Sequence, residues 1–192
     1  MRVVEANDLF ISNLDKNGEI TFSKSKAVGR GYSATGWSWD ADFFDFDNDS
    51  DDDLFISNGY FTDDYHNYLY ENISTKNSLS FINQADSLGL ADLAVSRANV
   101  TFDQNDDGFV DILISNFYDQ PVLYRNTLTD GNWIKINLEG TITNRNAFGS
   151  VIEIETDSAV FRKYHHGAHF VGQNIMPVHF GLANAEVINI IS

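Results

Sequence analysis

Asp45-Phe-Asp47-Asn-Asp49-Ser-Asp51-Asp-Asp53-Leu-Phe-Ile-Ser-Asn58 sets acidic residues at alternate positions and then turns at once into an apolar run. Asp103-Gln-Asn105-Asp-Asp107-Gly-Phe109-Val-Asp111-Ile-Leu-Ile-Ser-Asn116 repeats the design further along the chain. Residues 45–53 hold six carboxylates. Unit charges a few ångströms apart repel by about 1 kcal/mol even in water, and by more near a protein surface. Such a segment either stays extended and solvated or wraps a hard cation. Oxygen donors at loop positions 1, 3, 5 and 9, with a backbone carbonyl at 7, suit calcium.

Working outward, the hexapeptide that closes each loop occurs three times: Asp8-Leu-Phe-Ile-Ser-Asn13, Asp53 to Asn58, and Asp111-Ile-Leu-Ile-Ser-Asn116. The spacing between copies is the scale of repeat arrays and propellers. Leu69-Tyr-Glu-Asn72 is echoed by Leu123-Tyr-Arg-Asn126, and Phe44-Asp45 by Phe102-Asp103. Ala98, Val100 and Phe102 alternate as a half-buried strand does. Each unit therefore reads strand, acidic loop, strand, turn, strand. Only residues 82–93 carry a short, ambiguous helical pattern. The expected class is all-β.

From Asn132 onward there is no acidic loop. Trp133-Ile-Lys-Ile-Asn-Leu138, Val151-Ile-Glu-Ile-Glu155 and Val187-Ile-Asn-Ile-Ile191 read as short strands between glycine and asparagine turns. Thr129-Asp-Gly131 marks the junction, so the expected units are 1–130 and 131–192.

Composition narrows the functional classes. A net charge of −16 over 192 residues leaves no basic face for phosphate, which argues against nucleic acid, and an anionic membrane surface would repel the chain. Two filled calcium sites would cancel four of those charges. No apolar run approaches the ~20 residues of a membrane span. Cysteine is absent, so disulfides say nothing of compartment.

Rival acidic-loop architectures fail on particular residues. An EF-hand needs a bidentate Glu at position 12 and flanking helices. Position 12 is Ile56 in one loop and Ile114 in the other, each within an apolar strand. Thrombospondin-type arrays are stapled by cysteine. A loop closed by Asp at position 9 and running into a strand resembles the FG-GAP/VCBS repeats of integrin-like β-propellers. That resemblance implies side-chain ligands at Asp45, Asp47, Asp49 and Asp53 with the Asp51 carbonyl. In the second loop it implies Asp103, Asn105, Asp107 and Asp111 with the Phe109 carbonyl. Gly108 sits where the chain must turn sharply. Ser50 takes that place in the first loop, at about 1 kcal/mol or more for a left-handed non-glycine residue, so the two sites are expected to differ in affinity.

Asn144-Arg-Asn-Ala-Phe-Gly149 and Val178-His-Phe-Gly-Leu182 resemble blocks of the ASPIC/UnbV domain, a small β-sandwich-like unit that follows such repeats in cartilage acidic protein-like proteins. The chain departs from that pattern at Ser150 and ends before the Trp-Pro-x-Gly block. With a first repeat lacking its acidic loop, this leads us to expect a fragment, a partial propeller that oligomerises or aggregates unless further blades are supplied. The resemblance implies a secreted, periplasmic or cell-surface protein, although Met1 to Asp8 has no apolar signal core.

Other chemistry is weakly supported. His165, His166, His169 and His179 gather in sequence, but adjacent strand residues face opposite ways, so zinc is not expected. No G-x-S-x-G elbow is present, and catalytic carboxylates need unlike surroundings whereas a calcium loop gives its members one role. Trp37, Trp39, Trp133 and the Tyr60–Tyr70 stretch, with Asp63, Asp64, Tyr65, His66, Asn67 and Tyr68, could stack on a sugar or a protein. The expectation is thus a non-enzymatic, calcium-binding extracellular module with a protein or glycan partner. The alternative is a carbohydrate-binding or carbohydrate-active protein that uses the acidic and aromatic residues directly.

Overall fold

A computed structural model describes residues 7–25, 35–60, 66–142, 144–157, 159–170, 172–175 and 177–191. The long regular elements among them are all β-strands, so the protein is all-β. The first two, β1 (Phe10–Leu14) and β2 (Ile20–Lys24), pair as an antiparallel hairpin that exposes Phe10, Leu14, Ile20 and Phe22.

Next comes an antiparallel meander of β3 (Ser38–Phe44), β4 (Asp53–Asn58), β5 (Tyr68–Asn72) and β6 (Phe81–Asn83), in that spatial order. A second meander follows from β7 (Ser96–Phe102), β8 (Asp111–Asn116) and β9 (Val122–Tyr124). Each acidic loop is a hairpin connection, closed by Phe44 opposite Asp53 and by Phe102 opposite Asp111. Both copies also carry a register shift at the same place, after Ser38 and after Ser96. The ambiguous segment 82–93 begins with the end of β6 and continues as turns, not as a helix.

The hexapeptides of β4 and β8 become the inner strands of their meanders, with β4 covered on both faces, whereas the copy from Asp8 to Asn13 runs into the exposed β1. Phe55 and Leu69 point to one side and pack with Phe44, Phe46, Val110, Ile112 and Ile114 in a core shared by the two meanders. Ile56, Tyr70 and Phe81 point to the other side, toward Leu9. Burying a side chain as large as Phe55 contributes roughly 1.5–3 kcal/mol. A polar seam fastens β3 to β7: Asp40 Oδ2 accepts the Asn99 amide at 3.1 Å, and Thr101 Oγ1 donates to Asp42 Oδ2 at 2.6 Å.

The remaining strands are β10 (Asn132–Ile136), β11 (Ser150–Thr156), β12 (Val160–His165), β13 (Ala168–His169), β14 (Gly172–Gln173), β15 (Val178–Ala183) and β16 (Ile188–Ile191). They form a β10–β15 ribbon, a β12-β11-β16 sheet and a small β13–β14 hairpin. Ile152, Ile154, Phe180 and Leu182 make a separate core, joined by Ile134 and Ile136. Asn144 caps the turn before β11, its Oδ1 accepting the Phe148 amide at 2.7 Å. Among the described residues the sheets stay separate and close no ring.

Strand alternation gives the β10–β15 ribbon two unlike faces. Ile134, Ile136, Phe180 and Leu182 face their own core. Trp133 and Lys135 on β10, with His179 and Gly181 opposite them on β15, face the acidic loops. The ribbon therefore lies across both loops.

Candidate metal centre

In the first loop, Asp45 Oδ2 accepts the Ser50 amide at 2.9 Å and its Oδ1 accepts the Asp49 amide at 3.2 Å. Asp47 Oδ1 also meets the Asp49 amide, and Asp49 Oδ1 accepts the Asp51 amide at 3.0 Å. Asn48 and Ser50 adopt left-handed backbone, φ 61° and 82°, which curls the chain so that alternate side chains turn inward. As a result Asp45, Asp47 and Asp49 each bring a carboxylate oxygen within 4.8 Å of the other two. Asp51 and Asp53 stand outside that group.

Asp53 has another task. Its Oδ2 accepts the Phe46 amide at 3.0 Å and its Oδ1 accepts the Asn72 amide at 2.8 Å, clamping the loop to the end of β5. The second loop repeats this through Asp111, which accepts the Gln104 amide at 2.9 Å and the Asn126 amide at 2.7 Å. Both Asp are almost wholly buried. A carboxylate oxygen has a second lone pair, so the clamp leaves capacity for an ion.

The first loop is electrostatically unfinished. Burial, offset by the Ser50 amide and Lys163 and reinforced by Asp49 and Asp47, pushes Asp45 up to about 7. Burial and then Asp49, Asp45 and Asp47 push Asp51 to about 7. Burial, against the Asn72 and Phe46 amides, pushes Asp53 to about 8. Asp47 is raised by burial and by Asp49. Two buried side-chain oxygens in this loop, Asn48 Oδ1 and Asp51 Oδ1, lack a hydrogen-bond partner. Among the described residues no lysine or arginine ion-pairs with Asp45, Asp47 or Asp49; Lys163 pairs with Asp52 at 2.7 Å and favours the Asp45 charge only from longer range. Crowded carboxylate oxygens, from buried Asp45 out to exposed Asp49, with no cationic side chain in direct contact, fit a hard cation.

The second loop folds alike but is neutralised differently. Asp106 and Gly108 take the left-handed places, φ 60° and 89°, and Trp133 packs so closely on Gly108 that any Cβ there would overlap its ring. Asp103 Oδ2 accepts the Gly108 amide at 2.7 Å and also the Lys135 ammonium at 3.0 Å. Burial works to raise the Asp103 carboxyl, yet Lys135 and the Gly108 amide outweigh it and hold it below the usual value. Asn105 Nδ2 donates to Asp107 Oδ2 at 2.7 Å, and the buried Phe109 donates its amide to Asp107 Oδ1 at 3.1 Å. No group of three carboxylates converges here among the described residues.

Sequence reading missed the ribbon's part. Gly181 lies against Asp45, Ala183 donates its amide to Asn48 O at 2.9 Å, and His179 Nε2–H donates to Gly108 O at 2.9 Å. Burial lowers His179 to about 4, so it is neutral. The one available signal was the alternation of Trp133 and Lys135 with Ile134 and Ile136.

His165, His166 and His179 all border the cleft of about 180 Å³ between the ribbon and the loops. The His165 and His166 rings meet different partners, as their adjacency on the chain implies: His165 lies against Phe148 and Asn146 O, while His166 stacks on Tyr164 and accepts the Ala168 amide. Of the aromatic stretch, Asp63, Asp64 and Tyr65 lie outside the described residues. Tyr70 is core, stacked with Tyr68 at 5.6 Å, since both sit on the inward face of β5. Tyr60 instead stacks on Trp37 at 4.7 Å, at the strand ends away from the acidic loops. No family model matches the chain, and no curated protein matches it.

Proposed function

We propose that this chain is a calcium-dependent structural and interaction module without enzymatic activity, whose first acidic loop holds the ion. Asp45, Asp47 and Asp49 would be its side-chain ligands, with the Asp51 carbonyl and Asp53 completing the oxygen set. The observation that carries this reading is the convergence of three carboxylates within 4.8 Å, beside which burial and mutual repulsion raise Asp45, Asp47, Asp51 and Asp53. Bound calcium supplies positive charge and an oxygen-seeking centre; the chain's own work is to hold the loop ready. Asp53 pins it to β5, Gly181 packs its bare backbone against Asp45, and the two meanders supply a rigid base.

In the same proposal the meanders are consecutive FG-GAP/VCBS-like blades of a propeller, and the β10–β16 unit is of ASPIC/UnbV type. Loops of this kind in extracellular modules bind at Kd ~10⁻⁴–10⁻³ M, so the ion would be bound outside cells and absent inside. The partner is a protein or glycan at a cell surface or matrix. Calorimetric titration with calcium tests the reading: uptake at millimolar calcium, abolished in Asp49→Ala, is expected. No uptake by the folded protein would remove it.

One observation favours the glycan reading of the partner. Trp37 and Tyr60 stack at 4.7 Å, and the Arg97 guanidinium lies 4.2 Å from the Trp39 ring and 4.9 Å from that of Phe117. Such a patch offers flat ring faces to a sugar. Glycan binding that survives chelation and is lost in Trp37→Ala would assign the partner to this end.

A further inference from the structure

We infer that Lys135 is the built-in cation of the second acidic loop, so that the chain takes up one calcium ion where its repeat pattern suggests two. The inference rests on the reading of the first loop as a calcium site.

The two loops share their backbone. Both have left-handed residues at positions 4 and 6, an Asp at position 1 that accepts the amides of positions 5 and 6, and an Asp at position 9 that clamps two further amides. They differ in what meets the position-1 carboxylate. Asp45 faces Gly181, which carries no side chain. Asp103 faces Lys135, whose ammonium lies 3.0 Å from Oδ2 and 2.5 Å from Asp106 Oδ1. The Asp103 side chain is 1% exposed and that of Lys135 18%, so this pair is shielded from water as a surface ion pair is not.

The rest of the second loop is engaged too. Asp107 Oδ1 accepts the Phe109 amide, and its Oδ2 accepts Asn105 Nδ2 with Arg125 3.6 Å away. Residues 103–111 carry four carboxylates against six in 45–53, and position 3 is a neutral Asn. An entering ion would have to displace the ammonium from Asp103 and leave a half-buried lysine unpaired, a costly exchange. Burial opposes the Lys135 charge, but Asp106 and Asp103 overcome it and raise its pKa. Lys135 holds its place through the ribbon: Ile134 and Ile136 anchor the opposite face of β10, and Trp133 packs on Gly108.

The test is calcium uptake per chain, by equilibrium dialysis with metal analysis, on the full chain and on Asp49→Ala, Asp107→Ala and Lys135→Met. One ion in the parent protein, lost in D49A and kept in D107A, is expected, with a second ion gained in K135M and removed again in K135M/D107A. Two ions in the parent, or loss of an ion in D107A, would overturn the proposal whether or not K135M folds. A folded K135M with unchanged uptake would overturn it as well. If the parent takes up none while K135M takes up one, the first-loop reading fails and the lysine assignment stands; if both take up none, both fail. Trp133 fluorescence gives a separate readout, since Lys135 Nζ lies 5.5 Å from its ring. Calcium should change that emission in K135M and leave it unchanged in the parent.

Discussion

Asp53 accepts the backbone amide of Asn72 at 2.8 Å, tying the first residue of one strand to the last residue of the next. Asp111, the first residue of β8, makes the equivalent bond at 2.7 Å to the amide of Asn126, two residues past the end of β9. The last Asp of each acidic motif is thus a clamp whether or not an ion is present. Asp53→Ala and Asp111→Ala should each destabilise the fold by about 1–3 kcal/mol per amide left unpaired. Urea unfolding in EDTA checks this, and unchanged midpoints would rule the clamp out.

The first-loop acids set a pH dependence whose sign follows from their raised values. A carboxyl with a folded pKa above its unfolded one stabilises the fold while protonated, and loses that contribution as pH rises through the folded value. Raised from 3.8 to about 7 for Asp45 and Asp51 and to about 8 for Asp53, these acids spread the loss from the unfolded value up through those folded values, beyond which it is complete. Chelated protein should therefore melt at a lower temperature at about pH 8.5 than at about pH 5.5. Saturating calcium should flatten the slope, because the ion favours the ionised form. A chelated protein whose melting temperature rises over that interval would contradict the assignment.

Gly181 is required by closeness, not by backbone angle. An added Cβ would overlap Asp45 Oδ2 and crowd Asn48 Cα. Gly181→Ala should cost about 1–3 kcal/mol by overpacking and should weaken calcium binding by displacing Asp45. Titration of this variant beside the parent gives the comparison, and equal affinities would mean the ribbon does not bear on the ion.

Phe55 is fully buried where the two meanders meet. Phe55→Ala should destabilise by about 3–5 kcal/mol and broaden or abolish cooperative melting. A loss below about 1 kcal/mol would mean that the shared core collapses around the gap.

Much of the architecture was legible in the chain. The hexapeptides ending at Asn58 and Asn116 are β4 and β8, Val151 to Glu155 lies within β11, and the expected strands from Trp133 and from Val187 appear as β10 and β16. Ser50 takes the left-handed conformation expected of it. The residues 82–93 misled because Ile82 is an exposed strand residue, while Ala85 and Leu90 in the following turns are buried by distant partners of the shared core. Tyr70 looked like a recognition residue because polar neighbours masked its inward position.

The amino-acid order alone determined where acids alternate, where strands follow them and that the unit repeats, because charge repulsion and period-two burial act over a few residues. Which positive charge meets which loop was decided only by tertiary structure. Lys135 reaches Asp103 across 32 residues, Gly181 meets Asp45 from far down the chain, and Lys163 finds Asp52 across 111. Two near-copies of one motif thereby have unlike surroundings: a lysine ammonium meets the position-1 carboxylate of the second, while only the bare backbone of a glycine packs on that of the first.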